Sequence, residues 1–338
     1  GLTTPGPVEL QRLLRQLRDQ GVTAVAMEVS SHALDQRRVE GVPFAAGVFT
    51  NLTRDHLDYH GTMEAYRAAK LRLLGLLAAD GAALFNADDP AWRGVMTTGR
   101  HQTFGMDTLA DVMARDVRFH ATGSEFLLVA PTGAAPVALP LIGDFNVANA
   151  LAAAAVMLSL GYAVATVAEG LTHAPQVPGR LERLRTAPTV LRDYAHTPDA
   201  LERALQAVRP FASSGDTPGR VFVVVGCGGD RDRGKRPVMA RLAEQLADEV
   251  ILTSDNPRTE DPERILDDME AGMATRRHRR IEDRQAAIAD ALHRAGPHDV
   301  ILLAGKGHET YQIRGTTTYP FDERVIVEAL SATGEPSA

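Results

Sequence analysis

From Val8 the apolar positions Val8, Leu10, Leu13, Leu14 and Leu17 recur at helical spacing as far as Gly21, and the run Val22 to Val29 then reads as a strand. A second strand is expected over Phe44 to Leu52. Helical periodicity returns over Met63 to Leu77, and Ala82 to Asn86 is strand-like before a turn at Ala87-Asp88-Asp89-Pro90. Such alternation predicts a parallel sheet with helices on its faces. Between about 101 and 142 the pattern breaks into short alternating segments with Gly and Pro turns, which predicts a small antiparallel excursion. Asn146 to Leu160 is again helical.

The segment His173-Ala174-Pro175-Gln176-Val177-Pro178-Gly179 is rich in helix and strand breakers and is the expected boundary between a domain spanning 1–177 and one spanning 178–338. Beyond it, strands expected at Thr189 to Arg192, Val221 to Val225, Val250 to Thr253 and Val300 to Leu303 alternate with helices such as Pro198 to Val208 and Pro237 to Leu246. The fold class is therefore α/β, with two doubly wound domains.

At 338 residues and 44% hydrophobic content the chain can bury two cores. Thirty-six basic against 43 acidic residues give a net charge of -7, which argues against a nucleic-acid partner. The basic run Arg276 to Arg280 reads as a solvated face between helices, because no aromatic residues are interleaved to stack bases. A single cysteine, Cys227, excludes an internal disulfide and suits a reducing cytoplasm. No stretch of about 18 apolar residues exists, and the N-terminus lacks the basic and apolar regions of a signal peptide, so no membrane partner is expected.

Two motifs follow β-branched apolar runs: Asp255-Asn256-Pro257-Arg258 after Glu249 to Thr253, and Gly305-Lys306-Gly307-His308-Glu309 after Asp299 to Leu303. Either alone fits a turn. Together they deliver an arginine and a glutamate past the carboxyl ends of two parallel strands, where ligands bind in open α/β sheets, and could clamp a zwitterion by its opposite charges. Earlier, Glu28-Val29-Ser30-Ser31-His32 and Asn51 to Gly61 bring carboxylates, imidazoles and hydroxyls to two neighbouring strand ends, a donor set suited to a divalent ion beside phosphates. Gly229 to Lys235 fits the skeleton of a phosphate loop, but Arg236 stands where Ser or Thr would ligate magnesium and two loop aspartates would repel phosphate. Arg231 is the preferred anion contact there.

With Phe145-Asn-Val-Ala-Asn149, Asp193-Tyr-Ala-His-Thr-Pro198 and Gly226-Cys-Gly-Gly-Asp-Arg231 added, the chain resembles the Mur ligases of peptidoglycan synthesis from Thr3 to about Leu330, and most closely their diaminopimelate-adding branch. The resemblance implies ATP-dependent joining of meso-2,6-diaminopimelate to the D-glutamate of UDP-N-acetylmuramoyl-L-alanyl-D-glutamate through an acyl phosphate, in the cytoplasm, by a monomer. It implies magnesium at Glu28, His56 and Lys70, the lysine being carbamylated and so turned from a repelling ammonium into a carboxylate analogue. It further implies muramoyl-dipeptide contacts at Thr3, Thr4, Ser30, Gln36 and Arg38, and nucleotide contacts at Asn149, Arg180 and Asp193, with Asn146 a weaker candidate. The amino-acid pocket falls on Arg231, Asp255, Asn256, Arg258, Gly305 and Glu309. The arginine of Asp-Asn-Pro-Arg marks diaminopimelate-adding members, and it can pair bidentately with the second carboxylate that lysine lacks.

Family members carry a uridine-nucleotide domain and a Gly-rich phosphate loop ahead of the residues matched here. A three-domain parent lacking its N-terminal part is therefore expected, with closure about Pro178-Gly179 bringing the substrates together. The competing expectations are a lysine-adding or folylpolyglutamate-type ligase on the same fold, and a noncatalytic amino-acid-binding fragment.

Overall fold

The computed structural model describes residues 3–53, 55–120, 122–213, 218–275 and 277–332. The chain divides into two compact units. Gly1–Asp116, Phe126–Val137 and Val147–Leu171 form the first; Val117–Glu125, Ala138–Asn146 and Thr172–Ala338 form the second.

The first unit opens with α1 (Pro7–Asp19), whose proline lies in the first turn where a missing amide hydrogen costs nothing. α2 (Ser31–Asp35) is capped by Ser30, whose Oγ accepts from the Ala33 amide at 3.2 Å. There follow β1 (Phe44–Phe49), α3 (Leu57–His60), α4 (Met63–Leu71), β2 (Leu77–Asn86) and β3 (Arg100–Gly105), and then β4 (Val112–His120), β5 (Gly123–Ala130), β6 (Gly133–Leu139), α5 (Asp144–Ser159) and α6 (Val164–Thr172), which are each divided between the first unit and the second. The strands make one sheet in the order β1-β2-β3-β4-β5-β6. Pairing is parallel from β1 through β3 to the start of β4. The connections on either side of β5 are too short for a crossover, so β4, β5 and β6 run as antiparallel hairpins. The antiparallel excursion expected over 101–142 is thus present from β4 onward as an extension of the same sheet, while β3 enters it in parallel. Phe49 stacks on Phe85 at 4.7 Å and meets Trp92 at 5.3 Å in a core with Leu10, Leu34 and Val39. Each such side chain stabilises the unit by about 1.5–3 kcal/mol.

The strand expected over 22–29 does not form. A strand exists through ladder hydrogen bonds to a neighbour. Among the described residues none pairs with this segment, and Val22 and Val25 stay 41% and 48% exposed. β1 also stops at Phe49 instead of reaching Leu52, because the Leu52 amide donates to Asp89 Oδ2 at 2.6 Å.

The second unit contains β7 (Glu182–Thr186), β8 (Thr189–Asp193), α7 (Pro198–Ser213), β9 (Val221–Val225), α8 (Lys235–Leu246), β10 (Glu249–Leu252), α9 (Pro262–Glu270), β11 (His278–Arg280), α10 (Arg284–Arg294), β12 (Val300–Ala304), β13 (Tyr311–Arg314), β14 (Thr317–Pro320) and α11 (Glu323–Ala332). Its main sheet has the order β11-β10-β9-β12-β8-β7. All pairings are parallel except β7 with β8, and β13 with β14 forms a hairpin. β9 and β12 are buried along their whole length, which is why they read as unbroken apolar runs. Leu191, Val223 and Leu302 pack on one face with Leu201, Met239 and Leu266; Phe222, Val224, Ile301 and Leu303 pack on the other with Ile288 and Val327.

Within the basic run, His278–Arg280 form the edge strand β11 between α9 and α10; Arg277 and Arg279 are exposed as expected, whereas His278 and Arg280 are partly buried. The strand's charges are met by acidic residues of the neighbouring helices: Arg280 by Asp267 at 2.7 Å and by Glu263, His278 by Glu270 at 2.8 Å, Arg279 by Asp290 at 3.0 Å.

Candidate functional site

Because β8, β9, β10 and β12 are parallel, their carboxyl ends lie on one edge of the sheet, and the loops leaving them carry most of the candidate residues. After β10, Asp255 and Asn256 are 8% and 3% exposed. Arg258 takes a left-handed backbone, φ 50, and is held there by two ties to the β13–β14 hairpin: its amide donates to Ile313 O at 3.1 Å, and the Gly315 amide donates to its carbonyl at 2.6 Å. Its Nη1 donates to Gly229 O at 2.9 Å. A Cβ at Gly228 would come within 2.9 Å of Arg258 Nη1 and 3.8 Å of Arg231 Cγ, so both arginines lean over one glycine. Beyond β12, Gly305 adopts φ +117, and a Cβ there would face Asp255 Oδ2 at 3.5 Å. Glu309 Oε2 accepts from Asn256 Nδ2 at 2.9 Å. The carboxylates of Asp255 and Glu309 and the amide of Asn256 therefore gather on the sheet edge whose neighbouring loop carries Arg231 and receives Arg258.

The residue at the centre of this group, Lys306, was not among the candidates. Its side chain is fully buried, with Nζ 3.1 Å from Asn256 Oδ1, 3.4 Å from Asp255 Oδ1 and 3.4 Å from Glu309 Oε2. Its position inside Gly305-Lys-Gly307 was visible, but a lysine between glycines carries no sign of burial.

At the end of β8, Asp193 is 6% exposed and its Oδ2 accepts from the Leu181 amide at 2.7 Å. Burial pushes its carboxyl up to about 6, against the opposing pull of that hydrogen bond and of Arg180. The exposed Arg180 lies over the Tyr194 ring at 5.4 Å. Gly179 is no free hinge: its amide donates to Glu182 Oε2 at 2.8 Å, its carbonyl accepts from the Tyr194 amide at 2.8 Å, and a Cβ on it would lie 2.3 Å from the His308 amide nitrogen. In the first unit, Asn149 lies on the exposed side of α5, whereas Asn146 is buried with Nδ2 donating to Ile142 O at 2.8 Å; the latter belongs to the second unit.

The remaining candidates lie in the first unit. Thr4 is buried; its Oγ1 donates to Glu28 O at 3.0 Å and accepts from the Ser30 amide at 3.1 Å, so it shapes the turn that presents Ser30, with Thr3 exposed beside it. Arg38 reaches Thr4 O at 3.3 Å and Gln36 Oε1 at 2.8 Å, and Gln36 donates to Tyr59 OH at 3.2 Å. Tyr59 OH in turn donates to Asp35 Oδ2 at 2.9 Å. Tyr59 and Asp35 thus join a network that the sequence alone did not assign.

Lys70 is half-buried on α4, its ammonium 5.0 Å from the Tyr66 ring centre. Burial lowers its pKa, and the carboxylates of Glu28 and Asp55 oppose that shift without overcoming it. His56, at left-handed φ 54, meets Tyr66 edge-on at 5.8 Å. Among the described residues no group of three or more His, Cys, Asp or Glu is placed to hold a metal ion. Glu28 and His56 have suitable donor chemistry for magnesium, and an unmodified lysine at position 70 does not supply a third. Arg54, in the same loop, lies outside the described residues.

The phosphate-loop lookalike is an ion-pair node. Arg236 is fully buried and binds Glu260 and Asp268 at 2.9 and 2.8 Å, while Lys235 Nζ donates to His196 O at 2.8 Å.

Residues 1–157 match the Mur ligase middle domain and residues 179–307 the Mur ligase, glutamate ligase domain. The chain belongs to the Mur ligase family. It is 49% identical over 97% of its length to the UDP-N-acetylmuramoyl-L-alanyl-D-glutamate--2,6-diaminopimelate ligase of Geobacillus kaustophilus (strain HTA426), covering 68% of that protein. The enzyme of the same name from Synechococcus elongatus is 50% identical over 95% of this chain, which covers 65% of it. A solved structure of a ligase so named superposes with TM-score 0.70 at 37% identity, over 99% of this chain and 70% of that one. Folylpolyglutamate synthase of Mycobacterium tuberculosis shares the fold alone, at TM-score 0.60 and 22% identity, over 87% of this chain and 65% of that one. The chain spans about two thirds of the length of the relatives it matches. No helix among the described residues is long and apolar enough to cross a membrane.

Proposed function

We propose that this chain carries the phosphoryl-transfer and acceptor sites of a ligase that adds meso-2,6-diaminopimelate to the D-glutamate of UDP-N-acetylmuramoyl-L-alanyl-D-glutamate at the expense of ATP. The observation that carries the proposal is the gathering of Asp255, Asn256 and Glu309 at the ends of β10 and β12, with Arg258 and Arg231 over Gly228 after β9. One end of diaminopimelate is a zwitterion: its carboxylate would pair with the two guanidinium groups, and its ammonium with the two carboxylates. L-Lysine attacking through its α-amine would present only an ε-ammonium at its far end and leave the arginines unmatched, which disfavours the lysine-adding alternative.

In the reaction ATP phosphorylates the D-glutamate side-chain carboxylate, the free amine of diaminopimelate attacks the acyl carbon, and phosphate leaves as the amide forms. Holding the acceptor by its far end orients that amine for attack. Asn149, Arg180 and Asp193 would contact the nucleotide, and Thr3, Ser30, Gln36 and Arg38 the muramoyl dipeptide, with Thr4 bracing the turn. Glu28 and His56 would hold magnesium, with Lys70 as third donor once carbamylated, and a bound ion there would neutralise charge on the transferring phosphoryl group. The depressed pKa of Lys70 favours the free amine that carbamylation consumes.

Calorimetric titration of the chain with meso-diaminopimelate and with L-lysine tests the reading. Saturable binding of diaminopimelate with at least about tenfold preference over lysine is expected. Equal binding of both would refute the acceptor assignment.

A further inference from the structure

Lys306 is a charged group with no route to solvent, and it spends its three N–H donors on Asp255, Asn256 and Glu309. Tyr311 and Phe321 close over it, with ring centres 5.9 and 5.8 Å from Nζ. Burying an ammonium is costly unless it is paired, so the geometry demands an account of what the charge does there. It does two things. It fixes the Asn256 amide, whose Oδ1 accepts from Nζ and from the Ile313 amide at 2.9 Å, leaving Nδ2 to donate to Glu309. It also supplies one positive charge between two carboxylates whose side chains remain 11% and 17% exposed.

We infer that Lys306 is a positioning residue that sets acceptor specificity: it neutralises one of the two carboxylates Asp255 and Glu309, so that the pocket accepts an amino acid without net charge, such as diaminopimelate, and discriminates against one of net positive charge, such as lysine. The inference rests on the acceptor reading above. Without Lys306, two neighbouring carboxylates would face the ligand, drawing in an ammonium and repelling a carboxylate. With it, a single negative charge remains for the ligand's ammonium, and Arg258 and Arg231 keep their hold on its carboxylate.

The test is a charge-compensation series, Lys306→Met, Glu309→Gln and the double variant, each checked for folding by circular dichroism and titrated calorimetrically with meso-diaminopimelate and L-lysine. Lys306→Met shifts the affinity ratio toward lysine by about tenfold or more, Glu309→Gln shifts it toward diaminopimelate, and the double variant returns it toward the wild-type value. A purely structural lysine would instead weaken both ligands alike, with losses that add in the double variant. Should Lys306→Met fail to fold, the double variant against Glu309→Gln still decides: a ratio about tenfold nearer lysine supports the inference, and equal ratios overturn it. Wild-type chain that binds neither amino acid removes the acceptor reading and this inference together. Wild-type binding of diaminopimelate, with ratios unmoved across the series, overturns this inference alone.

Discussion

Arg284 and Glu323 form an ion pair from which water is wholly excluded, Arg284 Nε donating to Glu323 Oε1 at 2.8 Å with neither side chain exposed. Arg284 Nη1 and Glu323 Oε2 have no further partner, so the pair is not fully satisfied. Its Nη2, however, donates to Ala304 O at 2.9 Å, the carbonyl just before Gly305. The pair therefore joins the starts of α10 and α11 to the strand end that carries the acceptor loop. Arg284→Met strands a buried carboxylate and should cost about 3–5 kcal/mol in urea unfolding. Arg284→Met combined with Glu323→Leu should recover most of that loss; a double variant as unstable as the single would show that the pair's charge is not the source.

The proposed acceptor site makes Arg258 the cation on which the choice of acceptor would turn. Arg258→Ala and Arg258→Lys should both raise the dissociation constant of meso-diaminopimelate by at least about tenfold, since lysine restores charge but not the planar fork. Affinity for ATP should change little. Equal losses for both ligands would assign Arg258 to the fold instead.

Asp193 makes a pH signature. Its folded-state value of about 6 lies above the 3.8 of the free side chain, so the protonated carboxyl favours the fold. That contribution is complete below about pH 4 and is lost as pH rises through about 6, amounting to about 3 kcal/mol. Asp193→Asn keeps an acceptor for the Leu181 amide and removes the titration. Denaturant midpoints measured across this window should decline for the wild type relative to the variant; parallel curves would refute the assignment.

Lys70 carbamylation is directly observable. The free amine takes up CO2 and releases a proton, leaving a carbamate anion. Chain equilibrated with 13C-labelled bicarbonate at mildly alkaline pH should show a carbamate carbon resonance that Lys70→Met lacks. Glu28→Gln should strengthen the signal in the absence of metal, since it removes a carboxylate that favours the ammonium. A resonance that survives Lys70→Met would place the modification elsewhere.

The second unit was the more legible part of the sequence. Strands buried on both faces, such as Val221–Val225 and Val300–Ala304, announce themselves by unbroken apolar runs, and their helices by period. The 22–29 segment has equally strand-like residues, yet composition cannot say whether a neighbour will offer hydrogen bonds. The parallel entry of β3 into the first sheet was hidden for a similar reason: pairing direction is decided by distant chain, not by alternation. At the site, Arg258, Asp255 and Glu309 stood out by residue type and by following strands. Lys306 did not, because lysine reads as surface and only the folded loops reveal three acceptors around it. Tyr59 was similarly obscured, its role depending on Gln36 and Asp35, which approach it only in space.

The sheet order has a consequence for how the chain is made. β12 lies between β9 and β8, although both of those strands leave the ribosome well before it. Until Val300–Ala304 emerges, the nascent chain holds two open strand edges facing an empty slot, and premature closure of β8 on β9 would have to be undone. The strand that fills the slot also bears Gly305, Lys306 and Glu309 at its exit. Completion of the sheet and appearance of the proposed amino-acid pocket are therefore one event, and a nascent chain stalled before that strand has neither.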